Sequence, residues 1–329
     1  MANKDSFNMT CRQATHSDYD AVMKIASVDT FRDGFDYLPA KFHQWVDDPE
    51  AHVLVAETDD KMVLAVNVCF VTDGGAHLFS KTFRIAPELQ RKKLGMGIRL
   101  ELEKALKLRL HPWQRQLEQF TLADVKRPYL MKDVSNKKDI CFIDVMYFQG
   151  MTDKVLESNG VHPPPSQPSV MPYQPSDMSR LARPEFSQQI LSDNNIFVDW
   201  DLYKLSASNL RGFSKRGVVI LVDNNESAAK SLSFGGSYMT PRGRLYHVDV
   251  HCRDVALCQA HIKHHVDRAC REYEGMITFC VMVIDPSLKI TSKTFCVEKL
   301  GLVHLPYDHR YLCSKFMVPV LIDPSKSRL

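Results

Sequence analysis

The stretch that most limits how this chain can fold runs from Lys81 to Leu110, KTFRIAPELQRKKLGMGIRLELEKALKLRL. Phe79 to Ala86 reads as a short strand, and Pro87 ends it because proline brings no N–H to a ladder. After Gly97 the apolar residues Ile98, Leu102, Ala105 and Leu106 return at helical spacing. The order is strand, basic glycine-containing turn, amphipathic helix. Such a turn gathers backbone N–H groups and the positive end of a helix dipole at one place, which suits a pyrophosphate. Nine Lys and Arg stand against three Glu between Lys81 and Leu110, whereas the whole chain nets only +3. The spacing is neither a Walker A loop nor a dinucleotide fingerprint. A solvated helix start is the plainer reading of the same residues.

With 329 residues, 44% hydrophobic and 25% charged, the chain is long enough for two ordinary globular domains. The small net charge argues against nucleic acid or an anionic membrane as main partner. Apolar runs such as Phe279 to Ile284 are of strand length, far below the roughly 20 residues that span a bilayer. No signal-peptide core is seen in the first residues, and nine cysteines without framework spacing fit reduced thiols, so a cytoplasmic location is expected.

Taken in order, Met9 to Gln13 is a short strand, and Thr15-x-x-Asp18 resembles a capping box opening a helix through Ala26. Phe31 to Leu38 is a glycine-broken aromatic turn. Asp36 precedes Pro39 there, which fits a residue that caps the next helix. Residues 52–57 and 61–71 are β-branched runs around Thr58-Asp59-Asp60, an antiparallel hairpin, and Asp73-Gly74-Gly75 turns the chain into the strand that ends at Pro87. Strands follow at Phe120 to Val125 and Ile140 to Phe148. The proline-rich HPPPSQPSVMPYQP then breaks all periodicity.

A helix is expected at Asp177 to Ser192, strands at Phe197 to Tyr203, Val218 to Asp223 and Leu245 to Cys252, a helix at Asp254 to Glu274 and a strand at Met276 to Ile284. A helix ending at Gly301 and one or two strands from His304 close the chain. The strand, helix, strand order of 245–284 repeats that of 79–125, but no glycine lies between Val250 and the helix to cradle a phosphate. The second half is therefore read as a degenerate copy of the first, with an unrelated α/β cap as the other possibility. His247, His251, His261, His264 and His265 cluster in it with no acidic or cysteine ligand at diagnostic spacing, so core histidines are preferred to zinc and no metal is expected.

Arg84-Ile85-Ala86-Pro87 followed by Gln90-Arg91-Lys92-Lys93-Leu94-Gly95 resembles the acetyl-CoA loop of the GNAT superfamily of N-acetyltransferases. Gly34-Phe35-Asp36-Tyr37-Leu38-Pro39, with Trp45 after it and Thr72-Asp73-Gly74-Gly75 further on, resembles the vertebrate histidine N-acetyltransferase group. The resemblance implies a GNAT-like α/β fold, a mixed sheet whose fourth and fifth strands splay to admit a thioester, followed by a degenerate GNAT-like half. The boundaries expected are 1–150 for the acetyl-CoA-binding domain, 151–180 for a proline-rich linker and 181–329 for the second half.

For the site, the resemblance implies acetyl-CoA held by Phe83, Arg84, Ile85, Gln90, Arg91, Lys92, Lys93, Leu94 and Gly95, with a small-molecule amine or amino acid, L-histidine foremost, near Asp36 and Tyr37. Tyr129 and Asp73 are the candidates for proton transfer. Counted without a gap, the family's central loop glycine falls on Lys93, whose side chain could crowd the phosphates or reach one; a register shifted by two residues would use Gly95 and Gly97. Lys81 stands where related enzymes often carry an acidic base. Those two lysines motivate the alternative of a weakened or inactive relative that binds CoA or another protein.

Overall fold

The computed structural model describes residues 8–25, 34–72, 77–90, 94–109, 117–124, 138–159, 168–189 and 194–318. The chain divides into two compact units, Met1–Gln119 with Thr240–Arg242 and Met317–Leu329, and Phe120–Met239 with Gly243–Phe316. Among the described residues no helix is long and apolar enough to cross a membrane.

The first unit runs β1 (Met9–Gln13), α1 (Tyr19–Met23), α2 (Leu38–Asp47), β2 (Ala51–Thr58), β3 (Val63–Thr72), β4 (His77–Ile85) and α3 (Gly95–Lys107). Its sheet has the order β1-β2-β3-β4, antiparallel throughout, so β4 is an edge among the described residues. Leu54 and Ala56 of β2 and Ala65 and Cys69 of β3 share a core with Ile98, Leu102 and Leu106 of α3. The opposite face meets α2, where Trp45 sets its ring edge-on to Phe70 at 5.8 Å. Cover on both faces explains why β2 and β3 read as continuous apolar runs. The capping box forms: Thr15 N–H and its hydroxyl donate to Asp18 Oδ2 at 2.7 and 3.0 Å.

The second unit contains β5 (Leu117–Asp124, which begins in the first), β6 (Lys138–Met151), α4 (Thr152–Asn159), β7 (Val170–Pro172), α5 (Met178–Leu181), α6 (Pro184–Gln189), β8 (Asn195–Val198), β9 (Asp201–Lys204) and α7 (Ala207–Lys215). It continues through β10 (Val219–Asp223), β11 (Leu232–Thr240), β12 (Gly243–His251), α8 (Val255–Glu272), β13 (Met276–Val283), α9 (Lys289–Glu298) and β14 (Val303–Val318). The single helix expected at 177–192 is two short ones, because Pro184 brings no N–H to continue the ladder.

Eight strands form one sheet, β5-β14-β6-β13-β12-β11-β10-β7, and β8 and β9 form a separate hairpin. Strands are interleaved: β14 lies between β5 and β6, and β6 lies between β13 and β14. Met146 and Phe148 of β6, Tyr246, Val248 and Val250 of β12, and Phe279, Val281 and Val283 of β13 make one apolar face with α4, α8 and α9. Cys252, Cys258 and Cys270 belong to that core, and Cys280 is fully buried, as expected of small core residues.

Candidate active site

Alternation along β4 determines which amides face its open edge. Ala86 N–H donates to Leu64 O at 2.8 Å, so two-residue periodicity turns the N–H groups of Arg84 and Thr82 toward β3 and those of Phe83 and Ile85 outward. The side-chain amide of Gln90 reaches Ile85 O at 3.2 Å, which places the outward side of Ile85 beside the loop. Pairing of β4 with β3 skips Lys81: Ser80 opposes Cys69 and Thr82 opposes Val68, a β-bulge that bends the strand at this point.

Side chains on the inner face of β4 meet the start of α2. Arg84 donates from Nη1 to Asp36 Oδ2 at 2.8 Å and from Nη2 to Asp36 Oδ1 at 2.6 Å, both residues being buried. Leu38 N–H also donates to Asp36 Oδ1, at 2.9 Å, so the carboxylate holds the first turn of α2 as a capping residue does. Above the pair lies Tyr37, its ring 5.8 Å from the Arg84 guanidinium and 5.2 Å from Lys81 Nζ, with its hydroxyl 3.4 Å from Lys81 O. Asp36, Tyr37, Lys81 and Arg84 are thus one cluster. The resemblance groups Arg84 with the phosphate-loop residues, whereas its guanidinium pairs with Asp36.

At the other end of the β4 edge, Pro87–Leu89 forms a single 3₁₀ turn and α3 begins at Gly95. Ile98 N–H donates to Leu94 O at 3.1 Å, the first rung of the ladder, and the cap residue Leu94 has no side chain to offer. The first-turn N–H groups therefore point out of the helix toward whatever follows the turn. A Cβ at Gly95 would meet only Ile85 Cδ1, at 3.6 Å, so the apo fold does not itself require glycine there. Arg91, Lys92, Lys93, Asp73 and Tyr129 lie outside the described residues.

β12 and β13 run parallel and pair without a break from Arg244 opposite Ile277 to Val250 opposite Val283. Those strands repeat the places of β4 and β5 in the first half, where the two belong to different sheets. Continuous pairing leaves no gap between these two strands.

His261 and His265 of the second half are taken up by hydroxyls. His261 Nε2 lies 2.8 Å from Ser231 Oγ and His261 Nδ1 lies 2.7 Å from Ser233 Oγ. His265 Nε2 is 2.9 Å from the same Ser233 Oγ, and Tyr246 Oη is 3.3 Å from His265 Nδ1. Ser231 donates to Asp223 Oδ2 at 3.1 Å. Burial pushes His261 down to about 3 and His265 well below the usual imidazole range, so both are neutral. Helical spacing puts His261 and His265 on one face, but their partners lie just before β11 (Ser231) and on it (Ser233), an element the alternation does not reveal.

Residues 165–284 match the family model described as histidine N-acetyltransferase, C-terminal. The chain is 25% identical over 312 residues to the probable N-acetyltransferase 16 of Homo sapiens, covering 91% of this chain and 83% of that one. It is 23% identical over 318 residues to the histidine N-acetyltransferase of Oreochromis niloticus, covering 91% and 90%. A solved tandem GNAT protein from the clavulanic acid biosynthesis pathway superposes with a TM-score of 0.53 at 12% identity, over 94% of this chain and 98% of that one. The chain has the fold of the tandem GNAT proteins and is similar in sequence to the histidine N-acetyltransferases. The open β4 edge and the uncapped start of α3 lie in the first unit, and the matched region lies in the second apart from Thr240–Arg242.

Proposed function

We propose that the protein moves an acetyl group from acetyl-CoA to the α-amine of a small amino acid, with L-histidine the first candidate, in the reducing cytoplasm. The observation that carries this reading is the pair of outward amides of Phe83 and Ile85 on β4, followed in the chain by the uncapped first turn of α3. These groups offer donors to a thioester carbonyl at one end and to a pyrophosphate at the other. The names of the relatives support an N-acetyltransferase, and those acting on histidine supply the acceptor.

In the reaction the neutral amine nitrogen attacks the thioester carbon, a C–N bond forms, the C–S bond breaks, and CoA leaves as the thiolate. The amine proton departs, and the thiolate gains one from solvent or a side chain. Phe83 and Ile85 N–H groups hold the carbonyl oxygen as it becomes negative. Gln90 fixes the strand exit through Ile85 O, and Arg91, Lys92, Lys93, Leu94 and Gly95 surround the phosphates. Asp36 Oδ2 carries one donor, Arg84 Nη1, and has a lone pair for the acceptor amine, while Tyr37 walls the acceptor side chain. Asp73 and Tyr129 stay as the candidates for moving the proton.

Incubation with acetyl-CoA and a panel of free amino acids, read by mass spectrometry, tests the reading. Formation of an N-acetyl amino acid, highest for histidine, is expected. Calorimetric binding of acetyl-CoA without turnover on any amine would make the protein a CoA-binding relative. No binding at millimolar acetyl-CoA would remove both.

A further inference from the structure

Residues at the end of β4 sort to two faces by strict alternation. Arg84 turns toward α2 and is buried against Asp36, while Phe83 and Ile85 pack on the other face with Ile98 and Leu102 of α3. Carried backward along the strand, the same alternation sends Lys81 to the α3 face. Its ammonium lies instead over the Tyr37 ring, 5.2 Å from the centroid, where the Arg84 guanidinium approaches the same ring at 5.8 Å. The bulge accounts for the difference. Lys81 is the residue of β4 that the register with β3 skips, and a bulge re-aims the side chain it carries. The Tyr37 hydroxyl, 3.4 Å from Lys81 O, reaches the bulge from the α2 side.

Lys81 is thereby brought to the corner where Asp36 and Tyr37 receive the acceptor. Asp36 and Tyr37 are buried, whereas Lys81 keeps part of its surface in water, so the corner is reached from the side of the lysine. An ammonium has three donors and no lone pair. It cannot take up the proton that an acidic residue at this place would accept, but its charge and its N–H groups suit a carboxylate. A free α-amino acid carries an amine and a carboxylate on one carbon and asks for opposite charges close together. Asp36 and Lys81 supply them on either side of one tyrosine.

We infer that Lys81 binds the α-carboxylate of the acceptor and so selects free amino acids over plain amines and amino-acid esters. The inference deepens the acetyl-transfer reading and rests on it for the place of the acceptor. Lys81 is a specificity-determining residue here, held in position by the bulge and by Tyr37.

The probes are L-histidine and L-histidine methyl ester, which keeps the amine and the ring and loses the carboxylate charge. Each is titrated calorimetrically into the full chain with excess CoA present, and acetylation of each by acetyl-CoA is followed in parallel. The acid should bind at least about tenfold more tightly than the ester, and Lys81→Met should remove the difference by weakening the acid. Lys81→Arg, which keeps the charge, should retain the preference. In turnover Lys81→Met should raise KM for histidine about tenfold or more, with a far smaller change in kcat. Equal affinity for acid and ester, equal weakening of both in Lys81→Met, or binding of neither overturns the assignment. Carboxylate-dependent binding without acetylation of either probe upholds the role of Lys81 and defeats the acetyl-transfer reading, and acetylation of both without preference does the reverse.

Discussion

Arg84 and Asp36 are joined by two parallel hydrogen bonds, 2.8 and 2.6 Å long, that tie the inner face of β4 to the first turn of α2. The pair is buried on both sides, so neither charge can fall back on water if the other is removed. Arg84→Met or Asp36→Leu alone should destabilise the first unit by about 3 to 5 kcal/mol, and the double substitution should recover most of it. Hydrogen exchange of peptides covering α2 and β4 measures this locally, and a double variant no better protected than either single one would show that the pair is not coupled.

Gly95→Glu places a carboxylate at the uncapped start of α3. Since a Cβ there meets only Ile85 Cδ1 at 3.6 Å, the variant should keep its fold. Acetyl-CoA affinity measured by calorimetry should fall at least about tenfold, through repulsion of the phosphates and loss of close approach. Unchanged affinity would move the phosphate site away from α3.

Phe83→Pro removes one outward N–H while Thr82 and Arg84 keep their bonds to β3, a substitution an edge strand tolerates. If that amide holds the developing oxyanion, kcat should fall about 10²-fold or more, with a much smaller change in acetyl-CoA affinity. Phe83→Val, which keeps the amide, is the control and should retain most of the activity.

The first half was legible because its signals are local: the strand of 9–13, the Thr15–Asp18 box, the hairpin around 58–60 and the period of Ile98, Leu102 and Leu106 all appear where the spacing puts them. Two elements of the second half were not. β11 contains Gly235 and Gly236, residues that weaken a strand pattern, yet a Cβ at Gly235 would lie 2.4 Å from His265 Nδ1 and at Gly236 2.8 Å from His247 Nε2. Close approach of histidines from other elements demands those glycines, and no local pattern shows it. The hairpin of β8 and β9 turns on Asp199 and Trp200, both at positive φ (46° and 73°), where an Asn-Gly pair would have announced the turn. Trp200 instead sets its ring edge-on to Tyr311 at 5.4 Å, a contact made across more than a hundred residues. The Asp36–Arg84 pair was likewise invisible, since nothing local links residues 48 apart.

Donor and acceptor roles in the buried row from Asp223 to Tyr246 follow from its end. A carboxylate only accepts, so Ser231 gives its one proton to Asp223, and His261 must then donate from Nε2 to Ser231. By the same count Ser233 donates to His261 Nδ1, His265 donates from Nε2 to Ser233, and Tyr246 donates to His265 Nδ1. Both histidines should show the neutral Nε2–H tautomer in nitrogen-15 spectra. Asp223→Asn, which can donate from its amide nitrogen, should permit reversal of the row and mix the tautomers; a single unchanged tautomer in that variant would mean that Asp223 does not set the direction.

Acid should weaken the second unit through the same buried rings. His251 and His261, held down to about 4 and about 3, and His265, held well below its usual range, bind protons more readily in the unfolded chain than in the folded one. Their contribution is complete above the unfolded value near 6.5 and is lost as pH falls from there toward the folded values. Each lowers stability by up to about 1.4 kcal/mol per pH unit across that window. Carboxylates such as Asp18, held down to about 2 by the Arg12 guanidinium, lose their contribution lower still, below the ordinary carboxylate range. Urea unfolding of the second unit followed between pH 7 and pH 4.5 should therefore show a falling midpoint before most carboxylates titrate, and His261→Asn should flatten the slope. A midpoint independent of pH over that interval would show that these rings are reached by protons without unfolding.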